Sequence, residues 1–352
     1  MPPRSPPHIT IKDLARDLGM SVATVGRAFH SGGTIAEATR QAVLRRASEL
    51  GYQPNALARG MITRRTRIVG VVLSDLENPF YPQALARLTE ALQCAGFNVM
   101  LVVAEPSGSV DSALRLLLSY RPECAVVLAT SLATDAVEAC RAAGTPLLFF
   151  NRAPAEGEAS AVVCDNAAGA AMVADHLIAG GARRLAFLAG RPDASTNAER
   201  RAGFLERCAA QGLPTPREEP AGAFTYAAGY AAAQRLLARP ERPEALFCAN
   251  DILAIGAMEA ARREFGLRIP QDLAIAGFDD IAMAAWPAHD LTTLRQPIPA
   301  MVEAATDWVC RAAMGGGVSS QGTLRLAGTL MVRGTTRPAA TPLPNPALED
   351  KA

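Results

Sequence analysis

Several sequence features that mark membrane, secreted or catalytic proteins are absent from this chain of 352 residues. No apolar run approaches the roughly 18 residues that a membrane-spanning helix needs, so we expect no membrane partner. The Pro-rich segment Met1–Ile9 has no apolar core of a secretory signal. The patterns G-x-S-x-G, G-x-x-x-x-G-K-[ST] and G-x-G-x-x-G do not occur, so we do not expect an enzyme.

The sequence also contains no spacing of cysteine or histidine that is typical of a metal site or of a disulfide framework. The seven cysteines are scattered without a C-x-x-C pair, mostly among apolar residues, which is typical of reduced thiols in a cytoplasmic protein. The four histidines show no metal-ligand spacing. We therefore expect no metal site and no cofactor.

Charge is distributed unevenly along a chain whose net charge is only +1. Residues 1–67 hold 11 Lys and Arg against four Asp and Glu, a net charge of +7. Residues 68–352 hold 24 against 30, a net charge of −6. A basic segment of this kind is the electrostatic footprint of contact with nucleic-acid phosphates; a solvated basic tail is the weaker alternative. The sequence thus predicts a nucleic-acid-binding head on an acidic body.

The start of the basic head predicts two short helices joined by a tight turn. Thr10 can cap the first helix, and Asp13 completes a capping box. Gly19 turns the chain, and Ser21 can cap a second helix that runs to about Phe29. The first helix has an apolar face at helical spacing, formed by Ile11, Leu14, Ala15 and Leu18. This is the helix-turn-helix pattern, whose second helix enters the major groove of DNA.

The rest of the basic head predicts a third helix and a tether. The third helix spans about 36–50, and Asn55 can cap a very short helix that ends near Met61. We therefore expect a disordered N-terminus at 1–8, a DNA-binding headpiece at 9–54, and a hinge helix with its linker at 55–67. A helix of about six residues is too short to be stable alone, so we expect the hinge helix to order on DNA.

From Ile68 onward, short apolar runs alternate with helical patterns, which predicts an α/β fold of parallel sheets covered on both faces. The predicted strands are Ile68–Leu73, Asn98–Val103, Cys124–Ala129, Pro146–Phe150, Ala161–Cys164, Leu185–Ala189, Ala245–Ala249 and Leu273–Ala276. Eight or more strands fit two doubly wound sheets better than one. The core spans 68–336, and the Pro-rich tail at 337–352 is expected to be disordered.

Polar side chains recur directly after the predicted strands. In open parallel sheets, ligands bind at the carboxyl ends of the strands. Amide, carboxylate, guanidinium and aromatic groups converge there, which suits a polar or polyhydroxylated metabolite. Any single Asn or Asp among them is as readily a helix cap, and only the recurrence favours a binding site. The segments are Ser74–Tyr81, Asn151–Arg152, Asp165–Asn166, Asn250–Asp251 and Phe278–Asp280.

In their order and spacing, the motifs resemble the LacI/GalR family of bacterial transcription regulators over about residues 9–336. They are A-T-V-G-R, Y-Q-P-N-A-L-A-R, N-P-F-Y, A-N-D-I-L-A-I-G-A and G-F-D-D. The resemblance implies a periplasmic-binding-protein-like core with a first lobe at about 68–165 and 296–328, and a second at about 166–295 and 329–336. It also implies a homodimer or tetramer that binds a pseudo-palindromic operator in double-stranded DNA, and a small-molecule effector bound between the lobes.

The resemblance assigns DNA contacts to ten residues. Arg27 is expected to read guanine, while Val22 and Ala23 can make only apolar contacts, for example with a thymine methyl. Met61, at a position that is usually leucine, is expected to wedge between base pairs in the minor groove. Gly26 departs from the common serine and lacks its potential phosphate contact. The full set is Thr10, Ser21, Val22, Ala23, Thr24, Arg27, Asn55, Ala58, Arg59 and Met61.

The resemblance assigns effector contacts to seven residues of the core. They are Phe80, Tyr81, Asn151, Arg200, Phe224, Asn250 and Asp279. Two arginines near the cleft, Arg152 and Arg200, favour an anionic ligand such as a sugar acid or phosphate. The alternative for Arg200 is a salt bridge with the acidic body, and for Arg152 a packing role near the crossings between the lobes.

A solute-binding carrier on the same core fold is the alternative function, although it has no use for a basic headpiece. Repression is the favoured mode of regulation, but the sequence does not decide between repressor and activator. The tail shows no leucine heptads, which favours a dimer over a tetramer. The identity of the effector, and whether it releases DNA or tightens binding, stays open.

Overall fold

The computed structural model describes residues 9–29, 35–53, 65–74, 76–104, 110–128, 134–153, 159–315 and 322–338. The chain divides into two compact units, Met1–Thr66 and Arg67–Ala352. The predicted hinge helix, the N-terminal residues 1–8 and the tail beyond residue 338 lie outside the described residues. In the described part of the chain, no helix is both long and apolar enough to cross a membrane.

The first unit contains three helices, α1 (Ile11–Asp17), α2 (Val22–Ala28) and α3 (Glu37–Glu49). The predicted capping box of α1 is confirmed, with side chain and backbone of Thr10 and Asp13 bonded reciprocally. Gly19 has a φ of +61°, which allows the tight turn before α2. The Ser21 hydroxyl then accepts the backbone N–H of Thr24 at 3.1 Å. The three helices enclose a small core of Leu14, Ala15, Val25, Ala28, Val43 and Ala47.

The second unit contains two six-stranded sheets, which confirms the predicted α/β class. The strands of the first sheet are β1 (Ile68–Leu73), β2 (Asn98–Val103), β3 (Cys124–Leu128), β4 (Leu147–Phe150), β5 (Ser160–Cys164) and β11 (Thr323–Leu326). This sheet is entirely parallel, in the order β11-β5-β4-β3-β1-β2. Its helices are α4 (Phe80–Cys94), α5 (Val110–Ser119), α6 (Thr134–Ala142) and α11 (Ile298–Ala313), and together they form the first lobe.

The strands of the second sheet are β6 (Leu185–Ala189), β7 (Arg217–Pro220), β8 (Ala245–Cys248), β9 (Ala274–Asp279), β10 (Thr292–Arg295) and β12 (Thr329–Met331). This sheet has the order β12-β10-β9-β8-β6-β7, and only β12 runs antiparallel to its neighbour. With α7 (Asn166–Ala179), α8 (Ser195–Ala210), α9 (Tyr226–Leu237) and α10 (Asp251–Phe265) it forms the second lobe.

The chain passes between the two sheets three times. It leaves the first sheet after β5 at Asp165, returns from β10 to α11 through Gln296 and Pro297, and leaves again between β11 and β12 at residues 327–328. Three neighbouring crossings are the covalent basis of a hinge between lobes. The carboxyl ends of β4, β5 and β9 lead to these crossings or to the cleft beside them.

Candidate functional site

Helix α2 has one side buried in the first unit and one side exposed to the solvent. Its residues Val25 and Ala28 are buried in the core of the first unit. The side chains of Val22, Ala23 and Arg27 are exposed, and 42 % of the surface of Val22 is accessible. Most of the contacts predicted for this helix therefore lie on one accessible surface, as a recognition helix requires.

Arg27 carries a positive charge on that surface without a carboxylate partner among the described residues. Its Nε donates to the carbonyl oxygen of Ala23 at 3.3 Å, and its Nη2 lies 3.5 Å from the Thr24 hydroxyl. In the same unit, Asp17 of α1 accepts two hydrogen bonds from Arg46 of α3, at 2.5 and 2.9 Å. These bonds hold the pKa of Asp17 below its usual range and tie α1 to α3.

The remaining predicted DNA contacts divide into two groups. Thr10 caps α1, and its hydroxyl donates to Asp13 at 2.6 Å. Ser21 is exposed at the start of α2 beside Thr24. The other group consists of the predicted hinge contacts, which lie outside the described residues: Asn55, Ala58, Arg59 and Met61.

The Arg200 guanidinium is the centre of a buried polar cluster in the second lobe. Arg200 lies on α8 and is 2 % exposed. It donates from Nε to Asn166 Oδ1 (2.9 Å), from Nη1 to the Ala249 carbonyl (2.7 Å) and from Nη2 to Asp279 Oδ1 (3.0 Å). Its Cζ lies 3.7 Å from the centroid of the Phe278 ring. The salt bridge weighed as the alternative for Arg200 is therefore present, and it involves a second predicted effector residue.

Asp279 ends β9 with a φ of +114°, a conformation that is rare outside glycine. Besides Arg200 it accepts a hydrogen bond from Gln296 Nε2 at 2.7 Å. Burial raises the pKa of Asp279, and the positive charge of Arg200 is the largest influence in the opposite direction. Burial likewise raises the pKa of the neighbouring Asp251 well above its usual range, with the charge of Asp279 second.

The first lobe contributes an aromatic and basic wall. Phe80 and Tyr81 are buried at the start of α4, with their rings edge to face at a centroid distance of 5.4 Å. Arg152 follows β4 and donates from Nε to the Tyr81 hydroxyl at 3.1 Å. Its Cζ lies 6.0 Å from the ring of Phe224, a residue of the second lobe. Arg152 therefore contacts one predicted effector residue of each lobe, Tyr81 and Phe224.

Two predicted effector residues show different local roles. Asn250 Oδ1 accepts the backbone N–H of Leu253 at 3.1 Å, so this oxygen caps α10. Asn151 directly follows β4 with a φ of +70°, and its buried Oδ1 has no hydrogen-bond partner in the described part of the chain. The capping alternative thus describes Asn250, whereas Asn151 leaves an acceptor unused.

A cleft of about 260 Å³ lies between the lobes beside Asp279. Gln83 and Arg87 of α4 line it from the first lobe, and Asp279 and Asp280 line it from the second. Gln296 lines it at a crossing, and its buried Oε1 has no partner among the described residues. Gln296 is not among the predicted effector residues, and no local pattern marks it, because its role depends on Asp279, which lies 17 positions earlier.

A further polar chain connects Arg200 with the first lobe. The Asn166 side-chain amide donates to Glu199 at 2.8 Å, and Glu199 forms an ion pair with Arg325 of β11 at 2.9 Å. The Asn166 oxygen is thereby directed at Arg200. The side chains of Glu199 and Asn166 thus join Arg325 of β11 to the guanidinium of Arg200.

An accessible helix-turn-helix unit and a two-lobed core with a polar cleft define the class of DNA-binding regulators that sense a small molecule. The signature described as "Bacterial regulatory proteins, lacI family" matches residues 10–55, and that of the "Periplasmic binding protein-like domain" matches residues 174–336. The transcriptional repressor PurR of Erwinia tasmaniensis is 31 % identical over 301 residues, 84 % of this chain and 88 % of the relative. The ribose operon repressor of Escherichia coli is 29 % identical, over 85 % and 91 % of the two chains.

Solved structures give the same assignment. The lac repressor dimer bound to operator and the anti-inducer ONPF superposes with a TM-score of 0.84 at 25 % identity, over 94 % of this chain and 99 % of that one. The complex of the regulator CelR with cellobiose gives 0.70 at 28 % identity, over 93 % and 99 %. The chain belongs to the lacI family of bacterial regulatory proteins. It is a DNA-binding transcriptional regulator, and a solute-binding carrier is not favoured.

Proposed function

We propose that this protein is a cytoplasmic repressor that binds a pseudo-palindromic operator as a homodimer and loses or gains operator affinity when a small molecule binds between its lobes. Repressors among its relatives and the lac repressor dimer on its operator support this mode of action. Family members are regulators rather than enzymes, and we propose no catalytic activity. A regulator that binds DNA acts in the cytoplasm of a bacterium, where the chromosome lies.

We propose that Arg27 reads a guanine, and this assignment depends on one observation. The guanidinium is exposed on α2 without a carboxylate partner in the described residues, so its paired donors are available for O6 and N7 of guanine. Val22 and Ala23 offer apolar contact beside it, and Ser21 and Thr24 offer hydroxyls to phosphates. Thr10, Asn55, Ala58, Arg59 and Met61 complete the proposed DNA contacts.

Selection of random duplexes by the full-length protein tests this proposal. We expect a palindrome with a guanine in each half-site. Arg27→Ala should lose about 1–3 kcal/mol per half-site, a roughly 5- to 150-fold loss of affinity, and the preference for that guanine. Arg45→Ala removes an equal charge from α3 and should weaken binding to all sequences alike. Retention of the guanine preference by the Arg27→Ala protein would refute the assignment.

We propose that the effector is a neutral polyhydroxylated molecule rather than an anion. Two buried oxygens lack a partner in the described residues, Gln296 Oε1 in the cleft lining and Asn151 Oδ1 directly after β4. Both are acceptors, so a ligand that reaches them must donate. The amide of Gln296 cannot be turned around, because its Nε2 already donates to Asp279. Each nitrogen of the Arg200 guanidinium already donates within the protein. The two carboxylates of the cleft lining, Asp279 and Asp280, are matched by two arginines, Arg87 and Arg295, so the lining has no excess positive charge that would favour an anion. The complex of CelR with cellobiose, a neutral sugar, supports this class.

Calorimetric titration with neutral sugars and their matched acids, such as galactose and galacturonate, tests the ligand class. Where a sugar or its matched acid binds, we expect the neutral sugar to bind at least tenfold more tightly than the acid. The acid has a carboxylate acceptor where the neutral sugar has a hydroxyl donor, so one buried acceptor oxygen would lose its partner, at a cost of about 1–3 kcal/mol. Tighter binding of the acids would instead favour the anionic ligand that the two arginines suggested in the sequence.

A further inference from the structure

A second cavity, of about 130 Å³, lies at the opposite end of the second sheet from Asp279. It is formed at the amino ends of the strands, where β6 and β7 begin and where residues 241–243 lead into β8. Ligands of open parallel sheets bind at the carboxyl ends, so this cavity is separate from the effector cleft. Four arginines line it, Arg183, Arg184, Arg217 and Arg242.

Two of these guanidiniums are held in place by backbone carbonyls at the ends of helices. Arg183 donates to the carbonyl oxygen of Ile178, in the last turn of α7, at 3.3 Å. Arg242 donates to the carbonyl oxygen of Leu237, the last residue of α9, at 2.8 Å. Its Cζ also lies 5.1 Å from the centroid of the Phe265 ring. Both side chains are therefore oriented by groups without a net charge.

The positive charges of the other two arginines are only partly neutralised by carboxylates. Arg217 donates to the backbone carbonyl of Glu241 at 3.0 Å, while the carboxylate of that residue lies 3.9 Å away and is largely exposed. Arg184 pairs with Glu244 at 2.9 Å. Four guanidiniums thus face two carboxylates and the negative ends of two helices, each equivalent to about half a charge. About one positive charge remains at the cavity.

Three other arginines of the second lobe have direct carboxylate partners. Arg201 pairs with Glu218 through two hydrogen bonds, and Arg268 pairs with Asp272 in the same way. Arg207 has a carboxylate partner as well. At the cavity, by contrast, Arg183 and Arg242 are positioned by backbone carbonyls without a carboxylate partner among the described residues, and they lie beside two further arginines.

We propose that this cavity binds a phosphate group, either inorganic phosphate or the phosphate of a small metabolite. Guanidinium groups present paired N–H donors that match the oxygens of phosphate, and the hydrogen bonds are assisted by charge. The volume has room for about four water molecules at roughly 30 Å³ each, which suits a tetrahedral oxyanion. The organic part of a phosphate ester remains outside the cavity, in the solvent. The site does not depend on the proposed operator or effector binding.

Titration of the full-length protein with inorganic phosphate at low ionic strength, followed by 31P NMR, tests this site. We expect saturable binding that weakens at least tenfold in the double variant Arg183→Gln/Arg242→Gln. Arg201→Gln is the matched control, because it removes an arginine of the same lobe that is already paired, and its phosphate affinity should equal that of the wild type. Arg217→Gln, which removes a single exposed donor, gives a second test if the double variant unfolds.

Glycerol 3-phosphate and glycerol distinguish the two sources of phosphate. Binding of the ester as tight as that of inorganic phosphate, without binding of glycerol, supports a phosphorylated metabolite. Binding of inorganic phosphate alone supports the free ion. Absence of saturable binding in the wild type would overturn the proposal. An undiminished affinity in the Arg183→Gln/Arg242→Gln protein would also overturn it, because the phosphate would then sit elsewhere, for example on the basic headpiece.

Discussion

Replacing Arg200 by glutamine is expected to lower the free energy of unfolding of the core by about 3–5 kcal/mol, because the buried carboxylate of Asp279 loses its counter-ion. The substitution also removes the donors to Asn166 and to the Ala249 carbonyl, so the cleft loses its shape and effector binding should disappear. Urea unfolding can be followed by tryptophan fluorescence. Both tryptophans, Trp286 and Trp308, lie in the second unit and report on the core.

Arg201→Gln is the matched control for this prediction. Arg201 is the next residue of α8 and pairs with Glu218 near the surface, with 48 % of its side chain exposed. An exposed pair of this kind contributes only about 0–1 kcal/mol. Equal stability of the two variants would show that the buried ion pair does not stabilise the second lobe.

The effect of the Arg200 substitution should depend on pH. Burial already raises the pKa of Asp279 above its ordinary value of 3.8, and loss of the guanidinium raises it further. A folded-state pKa above the unfolded value means that the folded protein binds the extra proton, so stability falls as the pH rises through that interval. The stability of the variant should therefore approach that of the wild type toward pH 4 and diverge from it at neutral pH.

Replacing Gly203 by alanine is expected to destabilise the core by about 3 kcal/mol. A Cβ atom at this position of α8 would lie 2.2 Å from the carbonyl oxygen of Ala167 and 2.7 Å from its Cα. Both atoms belong to the backbone of α7, so no side chain can move aside and the two helices must separate. The same fluorescence measurement detects the loss.

Gly26→Ala is the control for Gly203→Ala, and its effect should have the opposite sign. In α2 the added methyl group would meet only Ile11 Cδ1, at an ordinary distance of 3.9 Å. Alanine favours the helix over glycine by about 1 kcal/mol, so amide exchange of α2 should become slower. Unchanged stability of the Gly203→Ala protein would mean that close backbone contact is not the reason for the glycine at position 203.

Many elements of the fold were predictable because their signals are local. Three strands, Ile68–Leu73, Asn98–Val103 and Leu185–Ala189, have the bounds that their apolar runs predict. The capping box of Thr10 is likewise a contact between residues three positions apart. Four strands were not predicted: β7, β10, β11 and β12. Their short sequences are polar or mixed, as in R-E-E-P, and three of them lie at sheet edges, where no second neighbour demands an apolar run.

The strand β10 shows why such strands escape prediction. Thr292 and Thr293 are fully buried although both are polar. The Thr293 hydroxyl donates to Asp251, which lies 42 positions earlier, and the Thr292 hydroxyl bonds to Thr336, which lies 44 positions later. Their burial is stable only because these partners satisfy the hydroxyls, and no local pattern contains the partners.

Neighbours in the chain determine helix caps, turns and apolar runs, and so the order of residues already specifies a basic helix-turn-helix head and an α/β core with polar strand ends. Which hydrogen bonds and ion pairs those polar groups form depends on partners far away in the chain. Arg200 meets Asp279 across 79 positions, and Gln296 keeps an unpaired oxygen because its amide nitrogen is taken by the same carboxylate. A buried charge is stable only where its partner is in contact, and only the tertiary structure brings the partners together.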